Sequence, residues 1–210
     1  MNEKLDKKEC EIKTCKFSDI RHIFEKFHYK KGAMGGGISV CFAMFINAEL
    51  VGGSVMGKPR HEKKYKNCID IRRMACLDEA PKNSESWFLS KIIKWVASNT
   101  LYDFVLSYSD KTVGHNGTIY KAANFNSIGE TTPTKYVKWG DKTYHPRSLT
   151  IDRPYSYKLR EAIEIGEAMV ITGLPKTIWI YKISNKLKRK NFTVKCFNEN
   201  PLQENLFNIK

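Results

Sequence analysis

No run of about 18 apolar residues occurs in this chain, and the charged start from Met1 to Lys8 has no apolar stretch behind it. The sequence therefore predicts neither a membrane span nor a secretory leader, and an intracellular protein is expected. Cysteine is too sparse for a disulfide framework. The six cysteines, at positions 10, 15, 41, 68, 76 and 196, include several inside apolar runs and read as reduced core thiols. Cys10 and Cys15, taken with His22 and His28, match no zinc-finger spacing. Acidic charge is scarce as well: 22 Asp and Glu against 36 Lys and Arg leave a formal charge of +14, which favours a polyanionic partner. The lysines are interleaved with Tyr, Trp and His rather than set on one amphipathic helix, a pattern suited to phosphate contact and base stacking more than to a membrane surface. No internal repeat is visible.

What is present is enough apolar material for one core. With 41% hydrophobic residues in 210, the expectation is one domain over 17–183, preceded by a polar segment over 1–16 and followed by a basic tail over 184–210 that is poorly ordered. Ile20, Ile23, Phe24 and Phe27 follow helical spacing from Phe17 to Tyr29, with Ser18 or Asp19 as cap. A glycine-rich loop leads into Ile38 to Ile46, a nearly continuous apolar run that reads as a strand covered on both faces. Leu50 to Gly57 returns as its hairpin partner, and Gly52 and Gly53 point to a bulge or a close backbone approach. Cys68 to Leu77 is a third strand, Ser84 to Ser98 a helix with a broad apolar face, and Phe104 to Ser107 a further strand. Thr131 to Leu149 reads as a long irregular segment, Pro154 begins a helix to about Gly166, and Thr177 to Ile183 is a last strand.

Several residues have the chemistry for a site. Lys82, Asn83, Ser84 and Ser86 lie where a strand, a loop and a helix N-terminus offer backbone N–H groups to an anion. Arg72 and Arg73 stand mid-strand, where alternation sends one side chain to each face, and an arginine on a covered face needs a carboxylate, a phosphate or a ligand. Ser107-Tyr108-Ser109-Asp110 occupies a strand's carboxyl end, the usual place for ligands in open sheets. Asp110 can position or deprotonate an amine, or simply cap the region from Gly114 to Tyr120. Tyr120 can give a proton to a leaving group or merely pack. His28 and Tyr29, between an apolar helix and a glycine loop, suit a base or metal ligand and a stacking ring, although a histidine at a helix end also serves by complementing the dipole.

The stretch from Asp103 to Glu130 reads as a buried strand with a polar end, a short Gly-started helix carrying Tyr120, and Asn-Phe-x-x-Ile-Gly-Glu opening another strand. Acyl-CoA-dependent N-acetyltransferases close their fold in this way, so an α+β GNAT-like architecture is expected, a mixed central sheet flanked by helices. The chain lacks the Gly-x-Gly form of the acetyltransferase loop. Phe27-His28-Tyr29, Asp70-Ile71-Arg72-Arg73-Met74, Asn83-Ser84-Glu85-Ser86-x-Phe-Leu, Ser107-Tyr108-Ser109-Asp110 and Gly117-Thr118-Ile119-Tyr120-Lys121-Ala122-x-Asn-Phe closely resemble the phage Mom family of DNA adenine-modification proteins.

The resemblance implies a divergent acetyltransferase-like enzyme that converts adenine in duplex DNA to N6-carbamoylmethyladenine and protects the DNA from restriction. It implies a phage or prophage protein working in the bacterial cytoplasm. Active-site roles fall on His28, Tyr29, Arg72, Asp110 and Tyr120, the catalytic ones on His28, Tyr29, Asp110 and Tyr120, with Ser84 and Ser86 near a cofactor phosphate; with the residues read above, the expected cofactor contacts are Arg72, Arg73, Lys82, Asn83, Ser84 and Ser86. The cofactor is acetyl-CoA or a related acyl donor, and iron held by His28 and Asp110 belongs to the same set of implications. Double-stranded DNA is the expected partner, gripped by Lys63, Lys64, Lys66, Lys135 and Lys138, with Tyr108 and Trp139 beside the base. Two alternatives stand: an N-acetyltransferase acting on another amine, and a catalytically silent DNA-binding module that kept the fold.

Overall fold

The computed structural model describes residues 5–27, 37–150 and 154–197. They fall into two compact units, one drawn from 1–108, 117–127 and 179–210 and the other from 109–116 and 128–178. The elements run β1 (Cys10–Cys15), α1 (Phe17–Phe27), β2 (Ile38–Ile46), β3 (Glu49–Gly57), β4 (Cys68–Cys76), α2 (Ser84–Asn99), β5 (Phe104–Asp110), α3 (Thr118–Ala122), β6 (Asn126–Glu130), β7 (Lys135–Trp139), β8 (Lys142–Tyr144), α4 (Arg147–Thr150), α5 (Pro154–Glu164), β9 (Ala168–Thr172), β10 (Lys176–Lys182), α6 (Asn185–Lys188) and β11 (Lys195–Cys196).

The first unit is built on a mixed sheet of order β11-β1-β2-β3-β4-β5-β10-β6. The β1–β2, β2–β3 and β3–β4 pairs are antiparallel, whereas β4–β5 and β1–β11 are parallel. The apolar run of β2 is buried on both sides because a helix lies on each. Phe42 and Met44 join Phe88, Leu89 and Ile92 of α2 in one cluster, and Cys41, Ala43 and Phe45 join Ile20, Ile23 and Phe24 of α1 in the other. Each of the Ile, Leu, Met and Phe side chains among them contributes roughly 1.5–3 kcal/mol by leaving water. A Cβ on Gly53 would stand 3.1 Å from Ile20 Cβ, so α1 approaches the sheet closely at that point. The bulge expected near Gly52 is present: Gly52 pairs with Met44 and Leu50 with Phe45, which leaves Val51 as the extra residue. At the start of α1 the Asp19 carboxylate accepts the Lys16 N–H at 2.9 Å.

The poorly ordered tail expected beyond Ile183 is corrected over 184–197, and the rest of it lies outside the described residues. The chain there forms α6, capped by Ser184 accepting from Leu187 N–H, and then β11, which pairs with β1 at Lys13 and Thr14. A run of lysines and asparagines carries little period-2 signal, and the pairing rests on backbone hydrogen bonds that composition does not report.

In the second unit the segment expected to be irregular is a hairpin. β7 pairs antiparallel with β8 and with β9, and Val137 packs with Leu159 and Ala162 of α5 and Ala168 of β9. Lys and Thr on one side of short strands masked the alternation. Pro154 opens α5, where its missing N–H is harmless. No helix among the described residues is long and apolar enough to cross a membrane.

Candidate functional site

β4 and β5 run parallel from Cys68 opposite Phe104 to Asp70 opposite Leu106, and their register ends there. Beyond that point Ile71 to Cys76 on one strand and Ser107 and Tyr108 on the other continue without a paired register. Ser107 is 1% exposed and Tyr120 9%. Ser107 Oγ donates to Tyr120 Oη at 2.8 Å. The Tyr120 ring is fixed by stacking on Trp179, with centroids 5.8 Å apart, and by an edge contact with Phe125 at 5.5 Å. Gly117, at φ +75°, is needed here: a Cβ would lie 2.3 Å from Trp179 Cζ2.

Val55 pairs with Arg73 and Met56 with Ile71, so Arg72 is the extra residue of a β-bulge. Arg73, opposite Val55, lies on the α1 side of the sheet. At a bulge the alternation that would put one arginine on each face does not hold. Arg72 Nη2 donates to the Lys58 carbonyl at 2.7 Å, and its guanidinium fills the space where a Gly57 Cβ would stand.

Tyr108 is half-buried on this same side. Burial, then the neighbouring Asp70 carboxylate and the Tyr65 phenol, hold its pKa well above the ordinary tyrosine value, so it keeps its proton. Lys63, Lys64 and Lys66 are exposed on the loop between β3 and β4.

At the start of α2, Asn83 is left-handed (φ 74°) and makes no side-chain cap. Ser84 is buried and donates to the Pro81 carbonyl at 2.6 Å, and Ser86 donates to the Asn83 carbonyl at 3.0 Å, so neither hydroxyl caps the helix amides. Asn83 and Ser86 line a cavity of about 400 Å³, together with Trp87, Lys94 and Lys7 and with Asn124 beyond α3. Ser84 does not line it, and Lys82 is exposed outside it. Its size and its two ammonium groups fit a phosphate-bearing ligand.

Asp110 belongs to the second unit. Its Oδ2 meets Lys176 Nζ at 2.5 Å and its Oδ1 accepts the Thr112 N–H at 3.1 Å. Burial alone would raise the Asp110 pKa, but the Lys176 ammonium and the Thr112 amide outweigh it and hold the carboxyl below its usual range. Such a carboxylate is a weak base, and both its oxygens already have partners. Among the described residues no three His, Cys, Asp or Glu side chains gather to hold a metal, so the residues described do not fit iron. His28 and Tyr29 lie outside the described residues. Lys135 and Lys138 are exposed on opposite faces of β7, and Trp139 packs against the small core around Leu159.

Two residues escaped the sequence reading: Trp179, which reads as an ordinary strand residue, and Lys176, the counter-ion of Asp110. Ser107 is legible as part of a strand-end motif, but its bond to Tyr120, thirteen positions away, is not.

The Mom protein family model matches residues 9–198. Methylcarbamoylase mom of Escherichia phage Mu is 25% identical over 206 residues, covering 92% of this chain and 83% of that one. Among solved structures, the ribosomal-protein-S18-alanine N-acetyltransferase of Escherichia coli aligns with TM-score 0.51 and 10% identity over 87% of this chain and 99% of its own. The ribosomal-protein-S5-alanine acetyltransferase of Vibrio fischeri gives 0.53 and 8% over 88% and 98%. Arabidopsis thaliana NAA60 in complex with acetyl-CoA gives 0.52 and 10% over 83% and 99%. These likenesses establish the acetyltransferase fold, and the match over 9–198 establishes the narrower kinship: the chain belongs to the Mom protein family.

Proposed function

We propose that this protein is a DNA-modifying transferase that places a carbamoylmethyl group on N6 of adenine in duplex DNA and so shields the DNA from restriction. The observation that carries this reading is the family match over 9–198, which takes in the end of the β4–β5 pairing and the buried Ser107–Tyr120 pair beside it. Duplex DNA as partner is supported by the +14 charge and by the exposed lysines at 63, 64 and 66.

Each side chain then has a role. Tyr120 donates a proton to the group that leaves, and Ser107 holds the phenol in place for it. The start of α2, with Lys7 and Lys94, receives the phosphates of a donor of the acyl-CoA class. When bound, such a donor supplies an activated carbon joined to a leaving group. Attack on a thioester carbonyl would give an amide, whereas a carbamoylmethyl group is joined through its methylene, so acyl transfer alone does not give this product. Arg72, tied to the Lys58 carbonyl, braces the basic loop against β4. The adenine amine is paired inside the duplex, and reaching it requires extrusion at roughly a few kcal/mol.

Genomic DNA from cells expressing the protein, compared with cells expressing Tyr120→Phe, should resist restriction enzymes whose sites contain adenine. Equal digestion of both would remove the reading. A second reading, acetyl transfer to another amine, is favoured by the fold and by the uncapped start of α2. Turnover of acetyl-CoA in the absence of DNA distinguishes it.

A further inference from the structure

The cavity at the start of α2 continues along the helix. A second, smaller one of about 150 Å³ shares Lys94 and Leu187 with it and is lined also by Ser98, Lys190 and Phe192. The two make one groove. Asn83, Ser86, Ser90, Lys94 and Ser98 recur every three or four residues along its floor, so they form a single polar stripe of α2, roughly 20 Å from end to end. The wall at the far end is the C-terminal segment. Ser98 Oγ donates to the Lys190 carbonyl, Asn99 Nδ2 donates to the Phe192 carbonyl at 2.9 Å, and Lys91 Nζ lies 5.1 Å from the Trp87 ring centroid and 5.7 Å from that of Phe192. These contacts pin residues 190–192 to the last turns of α2. Charge on the groove has one sign: among the described residues that line it, Lys7, Lys94 and Lys190 are cations, none is a carboxylate, and none of the three lysines forms an ion pair. Cavities of this size take a small ligand rather than a duplex, and the smaller one suits a single phosphate group.

We propose that Lys190, with Lys94 and Ser98, forms a second phosphate subsite, which holds a phosphate of the donor that stands apart from those at the start of α2. This inference rests on the reading of the first cavity as the place of an acyl-CoA-class donor. Coenzyme A carries such a group, a phosphate on the 3′ oxygen of its ribose, separate from its diphosphate. An ammonium and a hydroxyl on the same wall recognise it through charge-assisted hydrogen bonds, and dephospho-CoA offers them nothing. The segment beyond Ile183 then takes part in choosing the donor.

The test is calorimetric titration of the full chain with CoA and with dephospho-CoA, which differ only in the 3′-phosphate. The unaltered protein should bind CoA about tenfold more tightly, as one charge-assisted contact gives. Lys190→Gln should bring the two affinities within about twofold of each other by weakening CoA alone. Lys186→Gln removes an exposed lysine of α6 that lines neither cavity, and should keep the full preference. Equal binding of both nucleotides by the unaltered protein, an undiminished preference in Lys190→Gln, or an equal loss in Lys186→Gln would overturn the second subsite and leave the first cavity as the donor's place. Binding of neither nucleotide would remove the donor reading of the cavity, and the subsite with it.

Discussion

Ser107 and Tyr120 meet beside the point where the β4–β5 pairing ends, with Ser107 Oγ donating to Tyr120 Oη at 2.8 Å and both side chains buried. The Tyr120 ring is fixed by stacking on Trp179 and by the edge contact with Phe125.

Tyr120→Phe should lower DNA modification by about 10²- to 10⁴-fold with the fold intact, because the ring contacts survive and only the proton donor is lost. Ser107→Ala should show a smaller loss, about tenfold, since it removes the positioning bond and not the acid. Ser107→Thr, which keeps the hydroxyl, should recover most of it. Modified adenine per unit protein, measured beside circular dichroism, checks all three variants.

Gly117→Ala should destabilise the first unit by about 2 kcal/mol or more, because its Cβ would overlap the Trp179 indole and its φ is +75°. A melting temperature unchanged from the parent would contradict the tight seating of α3 on β10.

The strands β2 to β5 and the helices α1 and α2 were legible because each buries a continuous or periodic apolar face, and burial of that kind is written in residue type. The bulge at Arg72 was not legible, because period-2 reasoning breaks wherever one strand has an extra residue and nothing about Arg72 itself announces it. The hairpin of β7 and β8 was missed because Val137 is its one fully buried residue, too weak a pattern among lysines, threonines and aromatics. Asn83 and Ser86 were found in advance at the start of α2, and the structure places both on the wall of a cavity. Asp110 was found too, but its ion pair depends on Lys176, which lies 66 positions later and is brought beside it by folding alone.

Asp110→Ala should cost about 3 kcal/mol by taking the carboxylate partner from Lys176. Asp110→Asn should retain the bond from the Thr112 N–H and lose the charge pairing. The folded pKa of Asp110 lies below the ordinary 3.8, so its stabilising effect is complete above that value and fades as pH falls through the lower folded value. The stability gap between parent and Asp110→Asn should therefore be full near neutral pH and shrink in acid, as read by urea midpoints. A gap that widens in acid would contradict the assigned pairing.

Replacing Lys63, Lys64 and Lys66 with glutamine should weaken duplex binding alike for all sequences. Each lost phosphate contact should reduce the slope of log affinity against log salt by about 0.9. A salt titration with unrelated duplexes measures this, and an unchanged slope would take the loop out of the DNA interface.

The central claim is tested most directly by mass spectrometry of nucleosides digested from the DNA of cells expressing the protein, with Tyr120→Phe as control. A deoxyadenosine heavier by one carbamoylmethyl group, present with the unaltered protein and depleted in the control, is the predicted result. Unmodified deoxyadenosine in both samples would contradict it.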